Sequence, residues 1–257
     1  MANKSGRKSS WLELELTVTT IEPGNCQIKS ELLQLRVWRI PSGLVANHMS
    51  AETTNALTNA LHAMFLFLYL TGSTKHYLRN NKHFTGWIVT FFLILFALKL
   101  MGVYVHYYPY DGGISNVWIA ISLLVVFLNY AVVHGMDTPN IFRGFAVLIS
   151  LLFSFLFIVN GGGFVYLALP LTLIYLAAAY YSRGLLRLGF LLVVASNVIW
   201  ITAREIASFW IGNELPVHLR FDNDVYHLML IGSTLIIYQA ILRGYWANPS
   251  EGMTKCD

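Results

Sequence analysis

Charged residues are scarce in this sequence. Only 12% of its 257 residues are Asp, Glu, Lys or Arg, whereas 56% are hydrophobic, and the mean hydropathy is +0.57. A soluble globular domain of this length needs more charge to cover its surface. The shortage of charge therefore excludes water as the main solvent and predicts an integral, multi-pass membrane protein.

The sequence also lacks a dense basic patch, a cleavable signal peptide and a cysteine framework. The net charge is only +4, and the Lys and Arg residues lie in short segments between apolar runs, where they commonly set membrane orientation. We therefore expect membrane lipids as partners, with a partner membrane subunit if the bundle belongs to a complex, and no nucleic acid. The basic start of the chain is followed by alternating Leu and Glu, so the first spanning helix is expected to act as the targeting signal. The two cysteines, Cys26 and Cys256, lack the spacing of a metal site.

Long apolar runs are what the sequence has in abundance. A helix needs about 20 residues to cross about 30 Å of hydrocarbon, and each run has close to that length. The runs are continuously apolar rather than alternating, which argues against strands. We therefore predict an all-α fold, a polytopic bundle of seven transmembrane helices in a domain covering 49–246. The predicted spans are 53–72, 84–108, 114–134, 141–160, 163–181, 184–204 and 225–244.

Two segments flank this domain, an N-terminal extension over 1–48 and a C-terminal tail over 247–257. In the extension, apolar and polar residues alternate over 12–18 and again over 33–37, on either side of Pro23-Gly24-Asn25. This pattern predicts a short β-hairpin. Because an isolated two-stranded ribbon is only marginally stable, the extension must pack on the bundle, pair with a partner or stay loose.

Lys and Arg are unevenly distributed over the connections between the predicted spans. The loops 109–113 and 161–162 have none, and 205–224 offsets its single Arg with four acidic residues. By the positive-inside rule the opposite face is cytoplasmic, which places the C-terminus inside and the N-terminus outside, although two Arg residues precede the first span. An odd number of spans also places Cys26 and Cys256 on opposite sides, so they cannot form an intrachain disulfide. The basic residues of the predicted cytoplasmic face are Lys75, Arg79, Lys82, Arg143, Arg183, Arg187 and Arg243.

Polar residues within the spans concentrate at one end of the predicted bundle. Alternating helices bring one end of the first, second, third, sixth and seventh spans to the same membrane face. In the first span, Asn55, Asn59 and His62 have the spacing i, i+4, i+7 and share one helix face. Polar residues at membrane depth are rare and frequently functional. The polar residues at this end are Asn55, Thr58, Asn59, His62, Lys99, His106, Asn116, Arg204, Glu205, Asn223, Asp224 and His227.

His227 and Lys99 have the most informative surroundings. Asp224 and Asn223 precede His227 by three and four residues, so a carboxylate or an amide can orient the imidazole for proton transfer or metal ligation. Lys99 lies about two turns inside the second span, where a charge is costly, so it either snorkels or is buried against Asp224 or Glu205. The simpler interpretation of each His is a local hydrogen bond at the membrane interface.

The remaining polar and aromatic residues of the spans have structural interpretations. Asn129, Asn197 and Gln239 are predicted to form hydrogen bonds between helices. Trp210 and Trp246 are predicted to lie in an interfacial aromatic belt. None of these five residues is assigned to a catalytic site.

Three short segments carry a resemblance to a known superfamily. The second span ends with Gly102-Val-Tyr-Val-His106, Asn116 follows at the next span, and the last span opens with Asn223-Asp224-Val225-Tyr226-His227. This order resembles the seven-span membrane hydrolases that include alkaline ceramidases and the adiponectin/progestin receptors. In that superfamily a small residue precedes a His by four, a carboxylate follows, and the last helix opens with His-x-x-x-His. The resemblance covers 50–245 and implies a Zn²⁺ ion, held by three His near one membrane face, that activates a water against a lipid amide or ester.

The chain departs from this pattern at two positions. His106 and His227 match, but Asn116 stands where the superfamily has a carboxylate and Asn223 stands where it has a His. An amide is a much poorer zinc ligand than an imidazole, so a third ligand must come from elsewhere, and His62 is one candidate. The chain also resembles an uncharacterised bacterial family of small seven-span membrane proteins, which implies topology alone.

The leading hypothesis from the sequence is a relative of metal-dependent lipid hydrolases. On the resemblance, zinc is bound by His106, His227 and Asp224, and Asp224 is a third ligand or the general base. Lys99 and Asn116 complete the predicted catalytic set by tuning this site. A second hypothesis is a non-catalytic membrane protein that binds a lipid, a pigment or a partner subunit at the same polar end. A transporter ranks last, because the sequence has no inverted repeat and no paired broken helices.

Overall fold

The computed structural model of the chain describes most residues of the predicted bundle and part of the N-terminal extension. These residues divide into two units, a strand pair and a helical unit. The described ranges are 11–21, 28–38, 51–81, 83–107, 116–136, 138–160, 162–211 and 222–246.

The first unit contains two antiparallel strands, Trp11–Ile21 (β1) and Ile28–Trp38 (β2). In their register, Trp11 pairs with Trp38 at one end of the ribbon and Ile21 pairs with Ile28 at the other. The turn predicted at Pro23-Gly24-Asn25 lies outside the described residues, so the hairpin as a whole stays a prediction.

The second unit consists of helices, one at each of the predicted apolar runs. Helix ends agree with the predicted limits to within a few residues, except that the first and sixth helices continue for about two more turns at their C-terminal ends. The described helices are Ala51–Leu78 (α1), Gly86–Tyr107 (α2), Asn116–Gly135 (α3), Asn140–Val159 (α4), Phe164–Tyr181 (α5), Gly184–Ile211 (α6) and Asp222–Leu242 (α7).

Six of these helices, α2 to α7, are long and apolar enough to cross a membrane. Helix α1 is longer than any span requires, but its first half contains Asn55, Asn59 and His62, which lower its hydropathy. The described helices therefore include six candidate spans. Whether α1 is a seventh depends on how it packs against the others.

Each helix packs on its successor in the chain, and α7 also packs on α1, so that the helices form a closed arrangement. Helix α4 contacts only α3 and α5 among the described elements and lies at the periphery. Its contact with α3 includes two buried hydrogen bonds, from Asn129 to Ser150 and from Ser154 to Ser122. The hydrogen bond that we predicted for Asn129 between helices is thus present.

An aromatic cluster occupies the core at the end of the bundle opposite the polar residues. Phe91, Phe92 and Phe190 are fully buried there. Trp246 joins them, with ring centroids 5.2 Å from Phe91 and 5.7 Å from Phe190. The prediction of an interfacial position for Trp246 is therefore wrong, because the turn after α7 folds this indole back against α2 and α6. Trp210 lies in a segment whose side chains are outside the description.

Candidate functional site

The interior of the helical unit contains a cavity of about 150 Å³. It lies between α1, α2, α3, α5, α6 and α7, and aliphatic and aromatic side chains form most of its wall. An apolar cavity with a few convergent polar groups is the usual form of a small-molecule site. The polar residues that line the cavity are Asn59, His62, Lys99, His106, Asn197, His227 and Thr234, together with Tyr175 and Tyr226.

His227 is the centre of the polar wall and is almost completely buried. Asn59 Nδ2 lies 2.8 Å from His227 Nε2, and Lys99 Nζ lies 3.1 Å from His227 Nδ1. Asn59 Nδ2 also donates to the carbonyl oxygen of Asn55 at 2.9 Å. This second bond sets the orientation of the Asn59 amide, because a rotated amide would place its oxygen against that carbonyl. Three helices are therefore joined at one imidazole, with Asn59 donating to Nε2.

Asp224 faces α1 and does not face Lys99. Its carboxylate accepts hydrogen bonds from Thr54 at 2.7 Å and from Thr58 at 3.0 Å. Lys99 instead contacts His227 and the ring of Tyr226, whose centroid is 5.8 Å from Nζ. Burial of Lys99 against Asp224, one of the two pairings predicted, is wrong because the Asp224 carboxylate points toward α1 while Lys99 Nζ packs against His227 and Tyr226.

His227 is also not oriented by the residues one turn before it. Asn223 accepts a hydrogen bond from the indole of Trp200 on α6, and Asp224 is bound to α1. The partners of His227 come from two other helices. The imidazole is therefore positioned by tertiary contacts with Asn59 and Lys99 and not by its own helix.

The other predicted site residues lie at different distances from this centre. The ring centroid of His106 is 6.3 Å from that of His227, with the rings at 78°, and both line the cavity. His62 Nε2 lies 3.1 Å from Thr234 Oγ1, one turn deeper on the same wall. Asn116 is exposed at the start of α3 and does not line the cavity. The structure thus groups His106, His62 and His227 and leaves Asn116 apart; the side chains of Arg204 and Glu205 lie outside the description.

Sequence reasoning did not assign Thr234, Asn197, Tyr175 or Tyr226 to the polar wall. Thr234 follows His227 by seven residues, a helical spacing that places both on one face of α7, so the signal was present. Asn197 was assigned to hydrogen bonding between helices, yet it lines the cavity. No spacing in α6 distinguishes it from an interhelical Asn, because the residues three and four positions away are apolar or aromatic.

The zinc ion implied by the resemblance can be tested against the residues present. Both ring nitrogens of His227 have protein partners. A zinc ligand must offer an unshared electron pair to the ion. Among the described residues, no group of three His, Cys, Asp or Glu has a metal-binding arrangement. These residues as arranged do not fit a zinc centre, so we derive no step through the ion, and its binding by His106, His227 and Asp224 stays a prediction.

Six apolar helices of spanning length define the chain as a multi-pass α-helical integral membrane protein that contacts lipid. Comparison with known proteins finds no matching protein-family model, no matching curated protein and no matching solved structure. The resemblance to seven-span hydrolases therefore rests on the three quoted segments alone.

Proposed function

We propose that this protein is a seven-span membrane protein that binds an amphiphile inside its helix bundle. The observation that supports the proposal is the cavity of about 150 Å³, with apolar walls and polar groups gathered on α1, α2 and α7. An apolar chain fits the wall formed by residues such as Leu95, Leu167 and Ile237, and a polar end group fits the region of Lys99 and His227. The function is therefore binding of a small amphiphile, because a cavity of about 150 Å³ is smaller than the usual pocket for a drug-sized ligand.

The proposed seventh span is α1, and its inward face supports this assignment. Asn55, Asn59 and His62 are 3%, 2% and 1% exposed. The polar residues that lower the hydropathy of α1 thus face the protein interior, where Asn59 and His62 each form a hydrogen bond with α7. Such residues are compatible with a membrane span, because the cost of a polar group in hydrocarbon falls when protein partners surround it.

The outward face of α1 supports the same conclusion. Leu57, Leu61, Met64 and Leu68 follow the spacing i, i+4, i+7, i+11 and are all exposed. Helix α1 also runs parallel to α7, from the contact of Thr58 with Asp224 to the stacked rings of Tyr69 and Tyr238. Successive membrane spans alternate in direction. A first and a last span that run in the same direction therefore require an odd number of crossings. We therefore propose that α1 crosses the membrane with its N-terminal end outside and that the C-terminus is cytoplasmic, as the charge distribution predicts.

A hydrolase related to the resembled superfamily is the second candidate, and the proximity of His106 to His227 favours it. In that case one ring nitrogen of His227 must give up its contact with Lys99 or Asn59 and bind a metal ion instead. Metal analysis of gently purified protein separates the two candidates. If the wild type contains one zinc ion per chain and His106→Ala contains none, hydrolysis becomes the best-supported function in place of binding.

The experiment that tests amphiphile binding fills the cavity. Val125 on α3 lines the cavity and is buried, so Val125→Phe places an aromatic ring in the space of the ligand. We expect native mass spectrometry of protein in mild detergent to show a bound amphiphile in the wild type, and its affinity to fall on the order of tenfold in the variant. The matched control is Val198→Phe on α6, because Val198 is exposed and does not line the cavity. Equal ligand occupancy in Val125→Phe and the wild type, or no uptake of any small amphiphile by the wild type, would contradict the proposal.

A further inference from the structure

Asn197 is an unusual buried amide. It is 1% exposed and lines the cavity, and neither its amide nitrogen nor its amide oxygen has a hydrogen-bond partner among the described residues. Buried polar groups in proteins are nearly always paired. Asn129, by comparison, is equally buried but leaves only its amide oxygen unpaired, because its amide nitrogen donates to Ser150 on the neighbouring helix. The unpaired amide of Asn197 therefore indicates a partner that enters the cavity.

Asn197 lies at the depth of the polar wall. The bond from Trp200 to Asn223 aligns the end of α6 with the start of α7. Asn197 precedes Trp200 by three residues and His227 follows Asn223 by four, so each lies roughly 4.5 to 6 Å deeper along antiparallel helices. A polar group held near His227 is consequently within the same layer of the cavity as the Asn197 amide.

His62 has a second unpaired polar atom at the cavity. Its Nε2 lies 3.1 Å from Thr234 Oγ1, whose hydroxyl is also within reach of the carbonyl oxygens of Leu230 and Ile231. Its Nδ1 is buried and has no partner among the described residues, while His62 lines the cavity. Asn197 and His62 therefore both leave polar atoms unpaired at the cavity.

We infer that the polar end of the bound amphiphile is a hydroxyl group, that the ligand is an alcohol whose apolar chain is short enough for a cavity of about 150 Å³, about six carbons, and that Asn197 determines this specificity. The inference rests on the proposed amphiphile-binding function. A hydroxyl donates one hydrogen bond, which Asn197 Oδ1 accepts, and its oxygen accepts from a donor such as Asn197 Nδ2 or Lys99. An ether, an ester or a carboxylate only accepts, and it leaves Asn197 Oδ1 unpaired. Sites that hydrogen-bond a ligand hydroxyl discriminate against analogues without one, because the protein groups are left buried and unsatisfied.

The test compares three probes on the full-length protein. They are 1-hexanol, heptane and methyl pentyl ether, which have the same number of heavy atoms; the ether accepts but does not donate. By isothermal titration calorimetry, the wild type is expected to bind the alcohol about 5- to 10-fold more tightly than either analogue. In Asn197→Leu the preference is expected to shrink to less than about twofold, with heptane bound at least as tightly as by the wild type. Asn129→Leu is the matched control, since Asn129 does not line the cavity, and it should keep the preference.

The outcomes separate the inference from the function on which it rests. If Asn197→Leu keeps the full preference for the alcohol, the assignment of specificity to Asn197 is overturned, while amphiphile binding stands. If the wild type binds the alcohol and the ether equally, the hydroxyl assignment is overturned, and this result does not depend on the folding of any variant. If the wild type binds none of the three probes, the proposed function itself fails.

Discussion

At the scale of single residues, the arrangement around His227 is constrained from three helices. Asn59 is held by the Asn55 carbonyl and by His227 Nε2, and Lys99 approaches the opposite ring nitrogen. A buried network in which each member has a partner tends to have one geometry, because any displacement leaves a polar group unpaired. The polar wall is therefore a preformed surface for the end group of a ligand.

Gly102 on α2 allows this network to form. A Cβ at Gly102 would lie 2.9 Å from Asn59 Oδ1, closer than real Cβ contacts allow. We expect Gly102→Ala to push the Asn59 amide away from His227, to lower the free energy of unfolding by about 1 kcal/mol and to weaken binding of the amphiphile.

The control for this prediction is Gly232→Ala on α7. A Cβ at Gly232 meets no atom within 4 Å. Because Ala favours helix more than Gly, this variant should be neutral or more stable by up to about 1 kcal/mol. Unfolding in an SDS titration, followed by circular dichroism, measures both variants. A Gly102→Ala protein as stable as Gly232→Ala would show that Asn59 has room to move.

At the scale of helices, the attachment of α1 to α7 decides whether the first helix belongs to the bundle. The contacts between them extend from Asp224 to the rings of Tyr69 and Tyr238, whose centroids are 4.6 Å apart. At the other end of α1, the ring of His76 stacks on Phe84 in the connection to α2. Helix α1 is thus held along its length, in spite of its polar first half.

The hydrogen bond from Thr58 to Asp224 provides a test of this attachment. Thr58→Val keeps the shape of the side chain and removes the donor, so one carboxylate oxygen loses its partner. We expect the free energy of unfolding to fall by about 1 kcal/mol, as is common for hydrogen bonds between helices in membranes. Thr202→Val is the control, because the Thr202 hydroxyl bonds only to carbonyl groups of its own helix and is exposed. Equal stability of the two variants in an SDS titration would argue that Asp224 does not anchor α1.

At the scale of the whole molecule, the number of crossings determines where the two ends of the chain lie. Seven crossings place them on opposite sides of the membrane, whereas six place them on the same side. The two cysteines lie one before α1 and one after α7, at positions 26 and 256, so they can report on this difference.

Single-cysteine variants, Cys26→Ser and Cys256→Ser, should show opposite accessibility. In right-side-out vesicles, we expect a membrane-impermeant maleimide to label Cys26 directly and Cys256 only after permeabilisation, because the basic loops favour a cytoplasmic C-terminus. A variant without either cysteine is the control for background labelling. Labelling of both cysteines from the same side would mean an even number of crossings and would show that α1 is not a membrane span.

Much of the fold followed from local properties of the sequence. The length and continuous hydrophobicity of the runs predicted every helix from α2 to α7, because a helix that faces lipid must satisfy its own backbone and cover it with apolar side chains. The spacing of Asn55, Asn59 and His62 also predicted that the three residues share one face of α1, and their burial shows that this face points into the bundle. Periodicity within a single helix is enough for such conclusions.

The partners of the site residues could not be derived in the same way. The sequence alone determined that His106, His227, Lys99 and Asp224 gather at one end of the bundle, because helix order and length are properties of the chain. Only the tertiary structure decided that His227 binds Asn59 and Lys99, that Asp224 binds α1 and that Trp246 is buried. These pairings depend on which helices are neighbours and how each is rotated about its axis. Packing of all the helices together sets that rotation, and no single apolar run contains it.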